Sequence, residues 1–240
     1  MEIEDIDTNF LENISVKQIY NQIANHFDST RHYKWQWITD FISSMSTDST
    51  IYDIGCGNGR NMLYPNYNFI GIDNSESFVD ICLDKGLNVI HGEMDNLPFE
   101  NYSCDAIINI AAFHHLASID RRLKSLNEMN RVLKVGGKIL LSVWSKDQPT
   151  KTKRVFENYG VNLVPWKKPN HKQNKQNKQN KQNKQNKQNN IINEQEDVKM
   201  RFYYIFRIKE LIDLFSKAGL TVLEHKWDCG NEVFILQKKM

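Results

Sequence analysis

The sequence predicts an open α/β sheet of seven strands, mostly parallel, with helices on both faces and an antiparallel C-terminal hairpin. Two observations lead there. From about residue 50 to residue 145, short apolar runs alternate with segments of helical periodicity, as in strands joined by crossover helices. After Gly219 the apolar runs "LTVLEHKW" and "EVFILQK" follow each other too closely for an intervening helix, and read as a hairpin.

The elements follow in chain order. "VKQIYNQIANHF" sets Ile19, Tyr20, Ile23 and Phe27 at helical spacing, and residues 1–45 are expected to form a helical cap. "STIYDIG" is the first strand and "NFIGID" the second. Ser75 to Lys85 is a helix with Gly86 as its stop. "LNVIHG" and "CDAIINI" are strands three and four. Ile119, Leu123, Leu126, Met129 and Leu133 mark the next helix, N-capped by Ser118 and ended before Gly136-Gly137. "KILLSVW" is strand five. Ile208, Leu211, Ile212 and Phe215 form one face of the last helix, which Gly219 ends.

Between strand five and the last helix runs a triplet repeat, "KQNKQNKQNKQNKQNKQN", from Lys172 to Asn189. It has no apolar residue to offset the entropy of ordering, so residues 167–197 are expected to be disordered. It is read as an insertion in a single domain spanning residues 1–240. Its six lysines set the balance of charge: the formal net charge is +2 with them and −4 without. The rest of the chain is therefore not globally basic, and a cationic tether for nucleic acid would be the repeat itself. An inert, charge-extended linker is the simpler reading.

With 40% apolar and 25% charged residues the composition is that of a soluble globular protein. The acidic N-terminus "MEIEDIDTNF" is no signal peptide, and no run approaches the roughly 20 apolar residues of a membrane span. A cytoplasmic location, with the nucleus as second site, is the expectation. Cys56, Cys82, Cys104 and Cys229 form no C-x-x-C pair, so neither a metal site nor a disulfide framework is expected.

The chemistry gathers at the predicted strand ends. The first strand runs into "DIGCGNG", with Gly55, Gly57 and Gly59 at alternate positions. Glycine permits a sharp turn there and close approach of a ligand to the backbone, and ligands of open α/β sheets bind at that edge. The third glycine comes one residue too early for a dinucleotide fingerprint. The acidic Asp53 before the first favours a ligand with an ammonium group and no phosphate. Asp73 ends the second strand, where a carboxylate can accept both hydroxyls of a ribose. Glu93 and Met94 follow the third, where an adenine would lie. Amine, ribose and no phosphate describe S-adenosylmethionine. Singly each residue has a plain structural reading, as turn, cap or surface charge. Together, at successive strand ends, they resemble the class I S-adenosylmethionine-dependent methyltransferases over residues 50–145.

Further stretches narrow the resemblance. "VKQIYNQIANHFDSTRHYKW", "FHHLASIDRR", "VPW" and "VKMRFYYIFRIKEL" are similar, in this order, to the eukaryotic tRNA carboxymethyluridine methyltransferases. That resemblance implies an enzyme that methylates the carboxylate of 5-carboxymethyluridine at the tRNA wobble position. It also implies a small zinc-binding activator protein as partner, with any zinc in the partner. It places Asp53, Gly55, Cys56, Gly57, Gly59, Asp73, Asn74, Glu93, Met94 and Asn109 in the cofactor pocket. It makes Arg31, His114 and Arg207 the catalytic candidates, and Arg121, Asp228 and Asn231 substrate contacts. Glu93 stands for the family's aspartate, Asn74 for an arginine, and Glu232 for an aromatic residue after "DCGN". Since a carboxylate acceptor is ionised at neutral pH, it needs no general base. Arg31 would then act as a fork for an anion. His115 reads as packing, and Arg121 and Arg122, adjacent on one helix, cannot both face a cleft. Two other readings stay open: a small-molecule carboxyl or hydroxyl methyltransferase, and a non-catalytic scaffold.

Overall fold

The computed structural model describes residues 7–150, 152, 155–166 and 198–239; the repeat and its expected disorder lie outside the described residues. Strands β1 (Thr50–Ile54), β2 (Asn68–Asp73), β3 (Val89–His91), β4 (Cys104–Ile110) and β5 (Leu133–Trp144) are joined by parallel pairings in the order β3-β2-β1-β4-β5. Two later strands, β8 (Leu220–Asp228) and β9 (Asn231–Lys238), extend the sheet as β5-β9-β8, with β9 antiparallel to both neighbours. The chain leaves β1 toward β2 and β3, then returns to β4 on the other side. That reversal opens a crevice at the carboxyl ends of β1 and β4.

Strand residues alternate between two buried faces, as a parallel sheet covered on both sides requires. Ile107 of β4 joins the larger core with Leu126 and Met129 of α5 (Ile119–Val132) and Leu211 and Phe215 of α6 (Ile208–Lys217). Its neighbours Ala106 and Ile108 turn to the opposite face, against Ile38, Phe41 and Ile42 of α3 (Gln36–Ser43). Helix α4 (Glu76–Asp84) starts where the sequence indicates, with the Ser75 hydroxyl accepting the Phe78 N–H. Ser118 caps α5 in the same way through Arg121 N–H.

Three details depart from the sequence reading. Ile212 is 43% exposed, and Leu214 takes its place in the buried stripe of α6. Ile119, at the first turn of α5, is also exposed. An antiparallel ribbon of β6 (Gly160–Pro165) and β7 (Met200–Ile205) flanks the insertion. The ribbon brings Tyr203 and Phe202 into the interior, beside α2 (Gln18–Asp28), which follows the short α1 (Thr8–Glu12) and a π-helical turn.

Candidate active site

β1 ends at Ile54 and the chain turns through Gly55 and Gly57, whose φ values are +76° and +54°. Gly55 and Cys56 both give their N–H groups to the Ile72 carbonyl, at 2.8 and 3.1 Å. The turn leads into a three-residue 3-10 segment, Arg60–Met62, and not into a long helix. No helix dipole is therefore aimed at a phosphate here. A Cβ on Gly55 would lie 2.4 Å from the Ala112 Cβ, so two backbones meet there. A Cβ on Gly57 would meet nothing within 4 Å. Gly57 faces the open space a ligand can fill.

That space is a cavity of 440 Å³. Of the residues expected at the cofactor, Gly55, Cys56, Gly57, Asp73, Asn74, Glu93 and Met94 line it. The Asp73 carboxylate accepts Gly57 N–H at 2.7 Å and Ser75 N–H at 2.9 Å. Burial raises its pKa to about 6 despite those bonds. Glu93 reaches the rim and pairs with Arg121 at 3.1 Å.

Three of the cofactor candidates stand behind the wall. Asp53 is buried, with neither carboxylate oxygen partnered among the described residues. Burial, then the nearby Asp73, raises its pKa to about 8, while Arg60 pulls the other way. Asn109 spends its amide on backbone: Nδ2 donates to Ile54 O at 2.8 Å and Oδ1 accepts Phe113 N–H at 3.1 Å. It fixes the gap between β1 and β4 and touches no ligand space. Gly59 packs on Leu87, where a Cβ would come within 2.3 Å.

These residues fit S-adenosylmethionine. The Gly57 cradle admits a ligand, Asp73 lines the same cavity with its carboxylate fixed by two N–H groups, and Asp53, without a partner among the described residues, is a buried carboxyl that an ammonium group would ionise. Glu93 and Met94 stand where the third strand delivers them, on the same wall.

The other half of the cavity is aromatic and cationic. Arg31 lies over the rings of Phe27 and Trp166, at 5.7 and 5.8 Å. Arg201 lies over the same Trp166 ring at 4.8 Å, and donates from Nη1 to the Tyr203 hydroxyl at 2.7 Å. Tyr20 and Trp144 also line this half. Asn231 of the "DCGN" loop reaches the cavity; Asp228 does not, since it accepts Trp37 Nε1–H at 2.9 Å in an adjoining 420 Å³ hollow.

Of the three catalytic candidates, Arg31 lines the cavity, and His114 and Arg207 do not. His114 is fully buried and absent from the lining: its Nδ1 accepts Trp144 N–H at 3.0 Å. Residues 113–115 form a 3-10 turn, in which neighbours point about 120° apart, so His115 faces the cavity and His114 faces away. Arg207 sits at the N-cap of α6, exposed, over Tyr159. The arginine of that segment that lines the cavity is Arg201, at β7. Alternation along a strand would have found it, but the sequence reading gave that stretch no strand. Arg121 is not a waiting anion contact: Glu12, Glu93 and Asp95 pair with it. Arg122 is buried, bonding the Leu116 and Ala117 carbonyls.

Comparison with known proteins agrees with this geometry. Residues 52–141 match the methyltransferase domain family model. A fission yeast (Schizosaccharomyces pombe) tRNA (carboxymethyluridine(34)-5-O)-methyltransferase is 33% identical over 230 residues, covering 95% of this chain and 97% of that one. An Arabidopsis thaliana enzyme of the same name is 42% identical over 139 residues, 58% of this chain and 34% of its own. Among solved structures, a Haloferax volcanii methyltransferase in complex with the Trm112 methyltransferase activator superposes with a TM-score of 0.59 at 16% identity. The match covers 92% of this chain and 98% of that one, and shows the shared fold. The chain spans between 22% and 42% of the mouse, Arabidopsis and Xenopus relatives it matches. The glycine turn, the paired strand-end acids and the near full-length match to the fission yeast enzyme place this chain in the tRNA (carboxymethyluridine(34)-5-O)-methyltransferase family.

Proposed function

We propose that the protein methylates the carboxylate of 5-carboxymethyluridine at the wobble position of tRNA, forming the methyl ester. The observation that carries this reading is the state of His115. It is the only neutral nitrogen base among the described residues that line the cavity, and it is already committed. Its Nδ1 faces the Phe202 carbonyl at 2.7 Å and must donate. Burial drives its pKa down to about 3, so Nε2 carries no proton and accepts from the Tyr20 hydroxyl at 3.0 Å. A hydroxyl or amine acceptor asks for a base; an ionised carboxylate does not.

Bound along the Gly57–Asp73 wall, S-adenosylmethionine supplies a methyl group already activated on a sulfonium centre. The chain's own residues then have two tasks. They hold the acceptor oxygen in line, and they exclude water with Phe27, Trp144 and Tyr203. We place the reaction in the cytoplasm, with the nucleus as second site.

The activator belongs to the same proposal. β3 is the sheet's outer strand on that side, so one of its edges has no strand neighbour among the described residues. Ile90 on it, and Leu63 and Leu83 on adjoining segments, are exposed apolar side chains. An uncovered strand edge with apolar neighbours takes a partner readily, and the Haloferax protein is one of this fold solved with an activator.

The test is transfer of labelled methyl to tRNA carrying carboxymethyluridine, with and without a Trm112-type activator. Labelling is expected only when the carboxymethyl group is present, and more strongly with the activator. Equal labelling of tRNA lacking that group would overturn the reading.

A further inference from the structure

We propose that Arg201, and not Arg207, is the residue that takes the acceptor's carboxylate, held in place by a relay of hydrogen bonds from His115. The inference rests on the reading of the substrate as a carboxylate, and names the side chain that receives it.

Arg201 is a permanent cation with 8% of its surface exposed. A buried charge is ordinarily paired with an opposite one. None of the ion pairs among the described residues includes Arg201, and its Nε–H has no acceptor among them. What surrounds it is aromatic: Trp166 at 4.8 Å, Tyr203 at 5.2 Å and Trp144 at 6.0 Å. It lines the cavity. A buried cation on a cavity wall, with no counter-charge among the described residues, is a seat for an anion that arrives with the substrate.

The direction of every proton in the supporting relay is fixed. His115 Nδ1–H donates to the Phe202 carbonyl, leaving Nε2 as acceptor. Tyr20 must therefore donate to Nε2, at 3.0 Å. The Tyr20 oxygen then accepts from the Tyr203 hydroxyl at 3.0 Å, and the Tyr203 oxygen accepts from Arg201 Nη1 at 2.7 Å. Neither tyrosine can turn its hydroxyl toward the substrate without breaking the relay. The relay orients the guanidinium: Nη1 is held by Tyr203, Nε is buried, and the N–H groups that reach the cavity are left for an anion. Tyr20, Tyr203 and His115 are thus positioning residues. Arg31, over the same Trp166 ring at 5.8 Å, is exposed and supplies a second charge on the cavity lining.

The experiment uses the full chain with activator and S-adenosylhomocysteine, and two nucleoside probes: 5-carboxymethyluridine and its uncharged amide, 5-carbamoylmethyluridine. In the wild type, the carboxylate probe is expected to bind roughly ten- to a hundredfold tighter than the amide. The Arg201 guanidinium N–H resonances, assigned by their absence in Arg201→Lys, should shift with the carboxylate probe only. In Arg201→Lys the preference should fall about tenfold, with the KM for modified tRNA raised and cofactor affinity unchanged. Unmoved guanidinium resonances in the wild type overturn the assignment, and need no variant to fold. So does an Arg201→Lys enzyme with an unchanged KM. Failure of the substrate reading looks different: the wild type itself would not methylate tRNA carrying carboxymethyluridine.

Discussion

The Asp73 carboxylate and the Gly57 N–H lie sixteen residues apart in sequence and 2.7 Å apart in space. The acid that ends β2 thereby holds the turn that ends β1. Its other oxygen takes Ser75 N–H at the start of α4. One side chain both shapes the cradle and lines the cavity. Asp73→Ala is expected to lose cofactor affinity by at least tenfold and stability by about 1–3 kcal/mol, since two N–H groups lose their acceptor. Asp73→Asn keeps one acceptor oxygen and should recover part of the stability but little of the affinity. Calorimetry with S-adenosylmethionine beside chemical denaturation separates the two effects. Equal affinity in Asp73→Ala would remove this carboxylate from the cofactor site.

Asp53 gives a pH signature. Burial and the neighbouring Asp73 raise its pKa from 3.8 to about 8. The sign follows from proton counting: between those values the folded protein keeps a proton the unfolded chain has lost. Stability of the cofactor-free protein from this group is therefore greatest at low pH and declines as pH rises toward 8. An ammonium group beside Asp53 favours its ionised form, so binding at pH 7 should expel a proton. Calorimetry in buffers of different ionisation enthalpy reads that release directly. It should disappear in Asp53→Asn, which should also flatten the loss of stability with rising pH. Binding with no proton release in the wild type would show that Asp53 does not meet the ammonium group.

Much of this site was visible in the sequence, and the misses share a cause. The acids and glycines at strand ends were legible because strand periodicity and turn chemistry are local, and a parallel sheet brings its strand ends to one edge. The sequence put His114 at the site and His115 in the packing, and the structure lines the cavity with His115, because a 3-10 turn sends adjacent residues to different sides and leaves no periodic trace. Arg201 was hidden because β6 and β7 pair across the insertion, from Pro165 to Met200 at their far end. Arg121 was misread for lack of its partner: Glu12 lies 109 residues away, a distance no local pattern spans.

That Arg121 junction supports a further expectation. Its guanidinium bonds Asp95 through both Nε and Nη2, at 3.0 and 2.9 Å, and also pairs with Glu12 from α1 and Glu93 at the cavity rim. The Asp95 bonds, then the three carboxylates together, raise the arginine's pKa further. Burial pushes the Glu12 carboxyl up, against the pull of Ala117 N–H and Arg121. Arg121→Met would leave Glu12 and Glu93 without their cation and Asp95 with only Lys124 at 3.9 Å, at a cost of roughly 3 kcal/mol. Hydrogen exchange should rise in α1 before the rest of the chain. Adding Glu12→Gln should restore part of the loss, because the two changes share one interaction. Unchanged exchange in α1 would mean that this network does not dock the N-terminal helix.

Gly55 and Gly57 have similar backbone angles and opposite surroundings, and substitution should expose the difference. Alanine at either position meets the left-handed penalty of about 1–2 kcal/mol. At Gly55 the new Cβ would also lie 2.4 Å from the Ala112 Cβ, a methyl fixed to backbone that cannot swing aside. Overpacking adds about 1–3 kcal/mol, so Gly55→Ala should be poorly folded or strongly destabilised. At Gly57 nothing lies within 4 Å, so Gly57→Ala should fold with only the backbone penalty. Its methyl enters the space assigned to the cofactor, and affinity should fall by at least tenfold while the melting temperature moves by a few degrees. If Gly57→Ala bound S-adenosylmethionine like the wild type, the cofactor would have to lie off the glycine turn. The turn would then serve only to close β1 onto β2, and the ligand's contacts would belong to Asp73 and Glu93 alone.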